Sequence, residues 1–369
     1  MSSTTALVET VGPIRTTYAR AEDFPSMTRT YSDVSNVVRD TGLLARTPWF
    51  YSIVGTVLAL ALGGAVTGFI LLGDSWFQLL IAGALGIILT QVAFLTHEAS
   101  HRTILTSGPA NDRLARVLAA GVVGISHSWW VSKHTRHHAN PNRVGKDPDI
   151  EIDTVSFIEE DAAKAKGIHA AITRRQGWLF FPLLTLEGLN LHALGLKHLF
   201  GRGQVKSRYT ELALVALHFT VYLGALFWLL PLGMAFAFLG VQLAVFGLYM
   251  GASFAPNHKG MPIIDRDAKL DFFTKQVRTS RNISGGWWAT WVMGGLNYQI
   301  EHHLFPSMPR PHLAQAREIV REHCAVVGVP YVETTMWRSW GIVIQYLNRV
   351  GLAARDPFDC PMVGQFRRV

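Results

Sequence analysis

Four stretches of this chain, residues 49–73, 75–96, 210–231 and 234–255, contain no lysine or arginine. Each is long enough to cross a bilayer as a helix, because about 20 residues at about 1.5 Å rise span the roughly 30 Å hydrocarbon core. The expected fold class is therefore all-α and membrane-integral, and a composition of 49% hydrophobic and 16% charged residues agrees with it. The stretches form two pairs, joined around Gly73 to Ser75 and Pro231 to Gly233, so the spacing predicts two tight helical hairpins. Neither turn carries a lysine or arginine, which puts all 34 basic residues on one side of the membrane. The positive-inside tendency makes that side the cytoplasm. The formal charge of +8 then reads as a basic skirt facing anionic headgroups. No zinc finger, basic helix or phosphate-binding glycine loop points to nucleic acid.

Residues 1–48 are expected to be a cytoplasmic N-terminal arm, since they lack the apolar segment of a signal peptide. Residues 49–355 read as one membrane domain and 356–369 as a cytoplasmic tail. The two cysteines, Cys324 and Cys360, fall on the reducing side, so no disulfide is expected. Leu114–Val131 and Trp178–Phe200 are apolar but interrupted by polar groups, and are expected to lie in the interface. The charged segment Arg143–Arg175 between them should be solvated. Pro256 is expected to stop the fourth span. The glycine- and tryptophan-rich run Gly285–Gly295 fits a close-packed wall or an interfacial loop equally well.

Chemistry concentrates in three histidine clusters: His97-Glu-Ala-Ser-His101, His134-Thr-Arg-His137-His138 and Gln299-Ile-Glu-His302-His303. On a helix, residues at i, i+3 and i+4 share a face, so each cluster can aim its rings at one point. Chain order returns all three clusters to the same membrane face. Seven imidazoles meet there, whereas a single zinc takes three or four protein ligands, and the excess favours two metals. Imidazole alone does not name the metal. The first cluster also fits the H-E-x-x-H zinc-protease pattern, but a protease would leave the other five histidines without a role. A carboxylate-rich di-iron bundle needs Glu-x-x-His twice, and Glu98-Ala-Ser-His101 is the one copy here.

These boxes, with the string Gln-Ile-Glu-His-His-Leu-Phe-Pro, resemble the membrane fatty acid desaturase family over about residues 45–355. The resemblance implies a four-span fold with a cytoplasmic helical cap and a non-haem centre of two Fe2+ ions. Carried over residue by residue, it makes His97, His101, His134, His137, His138, His302 and His303 iron ligands. Gln299 stands where relatives carry a ligand histidine, so it binds metal or holds a neighbour. His258, just past the fourth span, is the match for a further ligand, and Asn257 is placed to hold a water near the metal. Glu98 and Glu301 are expected to orient imidazoles, because a metal-bound histidine usually gives its other ring N–H to a carboxylate or carbonyl.

His192 and Asn190 read as an interfacial polar pair, and His218 as a packing residue. The implied substrate is a fatty acyl-CoA or acyl-lipid drawn from the membrane. Its double bond would form with O2 and electrons from a separate protein of ferredoxin, cytochrome b5 or flavin-reductase type. No His-Pro-Gly-Gly haem string and no dinucleotide fingerprint is present, so no haem, nicotinamide or flavin site is expected. A bacterial plasma membrane, with both termini cytoplasmic, is the expected location. The acyl tunnel is expected to be walled in part by Trp287, Trp288 and Trp291. A membrane hydroxylase of fatty acyl, alkane or carotenoid substrates uses similar boxes and is the nearest alternative. A transporter or metal sensor is the alternative of another class.

Overall fold

The computed structural model describes residues 30–151 and 153–354, so the first part of the expected arm, the expected tail and Cys360 lie outside the described residues. The chain is mainly helical. In order, the helices are α1 (Thr30–Asp40), α2 (Pro48–Leu72), α3 (Gln78–Ser100), α4 (Gly108–Arg116), α5 (His127–Ala139), α6 (Glu159–Lys164), α7 (Gly167–Thr173), α8 (Gln176–Leu184) and α9 (Glu187–Phe200). They continue with α10 (Arg208–Leu229), α11 (Leu232–His258), α12 (Phe272–Thr279), α13 (Gly286–Val292), α14 (Gln299–Leu304), α15 (Leu313–Val327) and α16 (Met336–Gly351). Two short parallel strands, β1 (Asn282–Ser284) and β2 (Glu333–Thr335), tie the chain before α13 to the chain before α16.

Four helices, α2, α3, α10 and α11, are long and apolar enough to span a membrane, as the lysine- and arginine-free stretches predict. Proline at the first turn starts α2, where a missing N–H costs nothing. Gly73 ends it at a φ of 54°, a left-handed value that a side chain would resist. The Gln78 amide then donates to the carbonyls of Phe69 (2.7 Å) and Gly73 (2.9 Å), satisfying groups left open at the end of α2. α2 and α10 bury little of their surface and present Leu60, Leu71, Tyr209 and Trp228 outward. Such contiguous apolar exposure is what lipid contact requires and water forbids.

α3 and α11 form the middle of the molecule and pack along each other. Their approach depends on missing side chains. A Cβ on Gly86 would stand 2.9 Å from the Gln242 carbonyl oxygen, and a Cβ on Gly188 or Gly247 would collide with backbone across the α9–α11 contact. Small residues let helix backbones close up where lipid supplies no hydrophobic drive. Gly247→Val is expected to force α9 from α11 and destabilise the protein by about 1–3 kcal/mol. An unchanged thermal midpoint in detergent would show that the contact is dispensable.

Pro256 does not stop the fourth span. α11 runs through it to His258. A proline frees the carbonyl four residues earlier, and here the Trp340 indole N–H donates to that oxygen, on Ala252, at 3.0 Å. The Pro256 carbonyl itself accepts from Ser339 (2.8 Å) and from the buried Arg281 (3.0 Å from Nε). The helix survives because neighbours replace the lost bond, and it carries Asn257 and His258 inward.

The two interrupted apolar stretches are bent helices. α4 and a π-helical turn, Val117–Val123, meet α5 at 117°, and α8 meets α9 at 73°. The segment expected to be solvated is only partly so: Asp147, Ile150, Ser156, Ile158, Ala162 and Thr173 within it are buried.

Candidate metal centre

Four elements deliver the histidines. α3 contributes His97 and, at its C-terminal cap, His101; α5 contributes His134, His137 and His138; α11 ends in His258; α14 carries Gln299, His302 and His303. The orientation of α5 is fixed at its start. Ser126 caps Trp129 N, and the buried Glu211 carboxylate of α10 accepts from Ser126 Oγ (2.8 Å) and Ser128 N (3.1 Å). A carboxylate at a helix N-terminus also opposes the macrodipole favourably.

The rings sort into two groups. His97, His101, His134, His138 and His302 bring one nitrogen each to within 4.8 Å of all the others, and His137, His258 and His303 do the same. In the first group, Nε2 of His134 lies 3.1 Å from Nε2 of His97 and 2.9 Å from that of His101, while His302 and His138 approach at 3.0 Å. In the second, Nε2 of His137 and His258 are 3.3 Å apart. Imidazole nitrogens held about 2.1 Å from a shared ion stand about 3.0–3.4 Å from one another. The groups touch: the rings of His138 and His303 stack at 4.2 Å between centroids.

In the second group each Nδ1 faces an atom able only to accept, which puts the proton there and leaves an Nε2 lone pair turned inward. His137 donates to Asp147 (3.0 Å), His258 to the Thr279 carbonyl (2.9 Å) and His303 to Gln276 Oε1 (2.9 Å). Nε2 of His303 is buried and has no protein partner. A buried acceptor without a partner is costly unless a ligand fills its place. The residues therefore fit a divalent transition-metal ion. Burial, reinforced by neighbouring imidazoles, pushes His134, His138, His302 and His303 well below the ordinary histidine range, and burial takes His101 down to about 4. Neutral rings are the ligand form. At His137 burial also opposes charge, but the carboxylates of Asp147 and Asp149 outweigh it and raise the pKa.

Gln299 lies against the second group. Its amide nitrogen stands 2.9 Å from His258 Nε2, and its oxygen accepts from Asn257 Nδ2 at 3.1 Å. Asn257 in turn donates to the Leu296 carbonyl at 3.0 Å. Glu98 and Glu301 do not hold imidazoles. Glu98 accepts from Tyr51 Oη (2.9 Å) and ion-pairs with the buried Arg310, while Glu301 accepts from Asn282 (2.7 Å) and Tyr331 (2.9 Å). The orienting acceptors are instead Asp147, Gln276 and a backbone carbonyl, which the sequence reading missed. An aspartate ten residues beyond His137 is the one signal that could have flagged Asp147. The ring nitrogens of His192 lie 2.6 Å from the Gly188 carbonyl oxygen and 3.1 Å from that of Val123, and the ring belongs to neither histidine group.

A cavity of about 460 Å3 reaches both groups, touching His97 and His134 of the first and His137 and His258 of the second, with Gln299 beside them. Its apolar length is walled by residues such as Val123, Ile125, Leu191, Met250 and Phe254. The tryptophans on it are Trp129 and Trp130, the latter stacked on His134 at 4.3 Å. Trp287, Trp288 and Trp291 are exposed on and around α13 and do not line it, contrary to expectation. Nearness in sequence to the third box does not bring this run to the cavity.

A family model described as fatty acid desaturase matches residues 74–335. Among similar proteins, a Delta(8)-fatty-acid desaturase 2 of Arabidopsis thaliana is 28% identical over 82% of this chain and 69% of its own length. An acyl-lipid (8-3)-desaturase of Rebecca salina is 32% identical over 67% of this chain and 60% of its own. A Delta(6)-fatty-acid desaturase of Caenorhabditis elegans is 26% identical over 88% and 75% respectively. Four apolar helices, two groups of converging imidazoles and a family match over most of the chain agree, and the chain belongs to the fatty acid desaturase family of membrane oxidoreductases.

Proposed function

We propose that this protein introduces a cis double bond into a fatty acyl chain, with two irons held by the eight clustered histidines. His97, His101, His134, His138 and His302 hold one iron, and His137, His258 and His303 the other, with Gln299 on the open side of the smaller group and Asn257 holding the Gln299 amide from behind. The observation that carries this reading is that one apolar cavity touches both histidine groups. Its volume lies in the range of ligand cavities.

A methylene C–H is beyond any side-chain acid or base, so the irons supply the oxygen-derived oxidant. One acyl CH2–CH2 unit, O2, two electrons and two protons give the alkene and two waters. The residues of the chain do the rest. The apolar walls exclude water and hold the acyl chain past the imidazoles. Asp147, Gln276 and the Thr279 carbonyl keep three rings in the tautomer that presents Nε2. The electrons come from a separate redox protein of ferredoxin, cytochrome b5 or flavin-reductase type.

The histidine face and both termini are assigned to the cytoplasm, on the strength of two span-joining turns that lack basic residues. Residues 49–355 act as one membrane unit made of two hairpins under the cap. The relatives named above are eukaryotic, so they lend nothing to a bacterial membrane as its location.

The test is expression in a host of defined lipid composition, with gas chromatography of fatty acid methyl esters. A new monounsaturated or polyunsaturated ester is expected. A hydroxylated product, distinguishable by mass, would make the protein a hydroxylase instead. Asp147→Asn should lower iron affinity about 10–100-fold, because it weakens the acceptor that sets the His137 tautomer. Iron retention during dialysis measures this, and wild-type retention would remove Asp147 from that role.

A further inference from the structure

Residues 282–300 hold no charged side chain and no histidine, between the buried Arg281 and Glu301 of the third box. The run leaves the cap at β1 and returns to it at α14, and its two ends are bonded together, Ile300 N donating to Asn282 Oδ1 at 2.9 Å. Both ends therefore lie on the histidine face. Between them α13 has only seven residues, too few to cross a bilayer. It turns Trp287 (78% exposed), Trp288, Trp291 (44% exposed) and Val292 outward. The Trp291 ring lies 6.0 Å from that of Phe50 in the first turn of α2, beside the exposed Trp49, so this apolar face continues that of a spanning helix.

The bonds of α13 to the spans set its depth. Its last four carbonyls, the ones a helix leaves open, are all met by protein. Ala289 O accepts from Met293 N (2.8 Å), Thr290 O from Gly295 N (2.9 Å), Trp291 O from Gln91 Nε2 (3.1 Å) and Val292 O from Tyr249 Oη (2.7 Å). Gln91 stands about 9 Å further from the histidine face along α3 than His97 does, and Tyr249 about 13 Å further along α11 than His258. Side chains on a helix tilt toward its N-terminus, which in both spans is the far end. The bonds thus lie below the histidines, where water is scarce and an open carbonyl is costly. Gly294 (φ 59°) and Gly295 (φ 88°) then turn the chain back, and a Cβ on Gly294 would collide with the Phe94 ring of α3. We propose that α13 is a re-entrant helix set into bilayer lipid beside α3 and α11, with its indoles against acyl chains and the glycerol region above them. It ties the third histidine box to the spans from the membrane side.

The experiment uses the full chain in phosphatidylcholine nanodiscs, with Cys324→Ala and Cys360→Ser as background and a nitroxide attached through Trp287→Cys. Power-saturation spectroscopy compares collisions with O2, which concentrates in lipid, and with a water-soluble nickel chelate. Leu60→Cys, on the outward face of α2, and Glu322→Cys, on the exposed side of α15, give the lipid and water references. The O2-to-nickel ratio at position 287 is expected to match that at 60 and to exceed that at 322 several-fold. A ratio like that at 322 would place α13 in water, and a label shielded from both probes would mean that protein covers this face; either overturns the proposal. A second measurement needs no substitution. Phosphatidylcholine carrying a diazirine in its acyl chain is photolysed with the unaltered chain and the adducts are mapped by mass spectrometry. Adducts on Trp287, Trp288 or Trp291 are expected beside those on α2, and their absence while α2 is labelled would also overturn the proposal. Neither measurement depends on iron or on turnover, so both stand apart from the desaturase reading.

Discussion

His137→Ala is expected to abolish desaturation while the protein still inserts in the membrane. His137 is one of three imidazoles in the smaller group, and its ring is the one held by a buried carboxylate, Asp147. Removing it takes a third of that group's nitrogens and leaves Asp147 without the proton it accepts. The Asn142 and Asp149 backbone N–H groups, which also donate to Asp147 at 2.7 and 2.9 Å, still hold the loop. Alanine suits the interior of α5, so the helix itself is not at risk. Ester analysis should show no product, while membrane fractionation recovers the variant in normal amount. His198→Ala, at a histidine outside both groups, serves as the control and should retain activity. Near-normal turnover by the His137 variant would remove this residue from the site.

The second large effect concerns stability. Arg310 and Glu98 form a buried ion pair that joins α3 to the chain just ahead of α15, and Tyr51 of α2 adds its hydroxyl to the same carboxylate. Tyr51 Oη also accepts from Arg310 N at 3.1 Å, so three elements meet in one knot. Breaking a buried pair from one side leaves an uncompensated charge and costs about 3–5 kcal/mol. Arg310→Met should therefore lower the thermal midpoint in detergent by on the order of 10 °C, at about 2–4 °C per kcal/mol. Adding Glu98→Gln should recover much of the loss, because the stranded charge disappears. A midpoint within a degree of wild type for Arg310→Met would show that the pair does not hold the cap to α3.

Features legible in the sequence are those that depend on local periodicity. A run of about 22 residues without a lysine or arginine announces a helix of spanning length, and histidines at i, i+3 and i+4 announce a shared face. The structure has helices over all four runs and gathers the three boxes. What the sequence did not disclose depends on partners distant along the chain. Asp147 sits among Lys, Arg and Asp residues and reads as solvated, yet it is buried because His137 and two backbone N–H groups converge on it. Glu98 and Glu301 lie inside histidine boxes and invite a role in orienting rings, but the charged partner of one and the hydroxyl partner of the other come from far along the chain. Pro256 obeys its rule for an isolated helix and is overruled by Trp340, 84 residues later. Trp129 and Trp130 reach the cavity because the chain turns by 117° just before them, an angle that no composition encodes.

Eight imidazoles in two groups are proposed to hold two irons, and iron quantification on the purified, ferrous-loaded protein, expressed per polypeptide and read beside zinc, decides the matter. About two irons per chain and little zinc are expected. A ratio near one, or zinc in place of iron, would remove the two-iron reading.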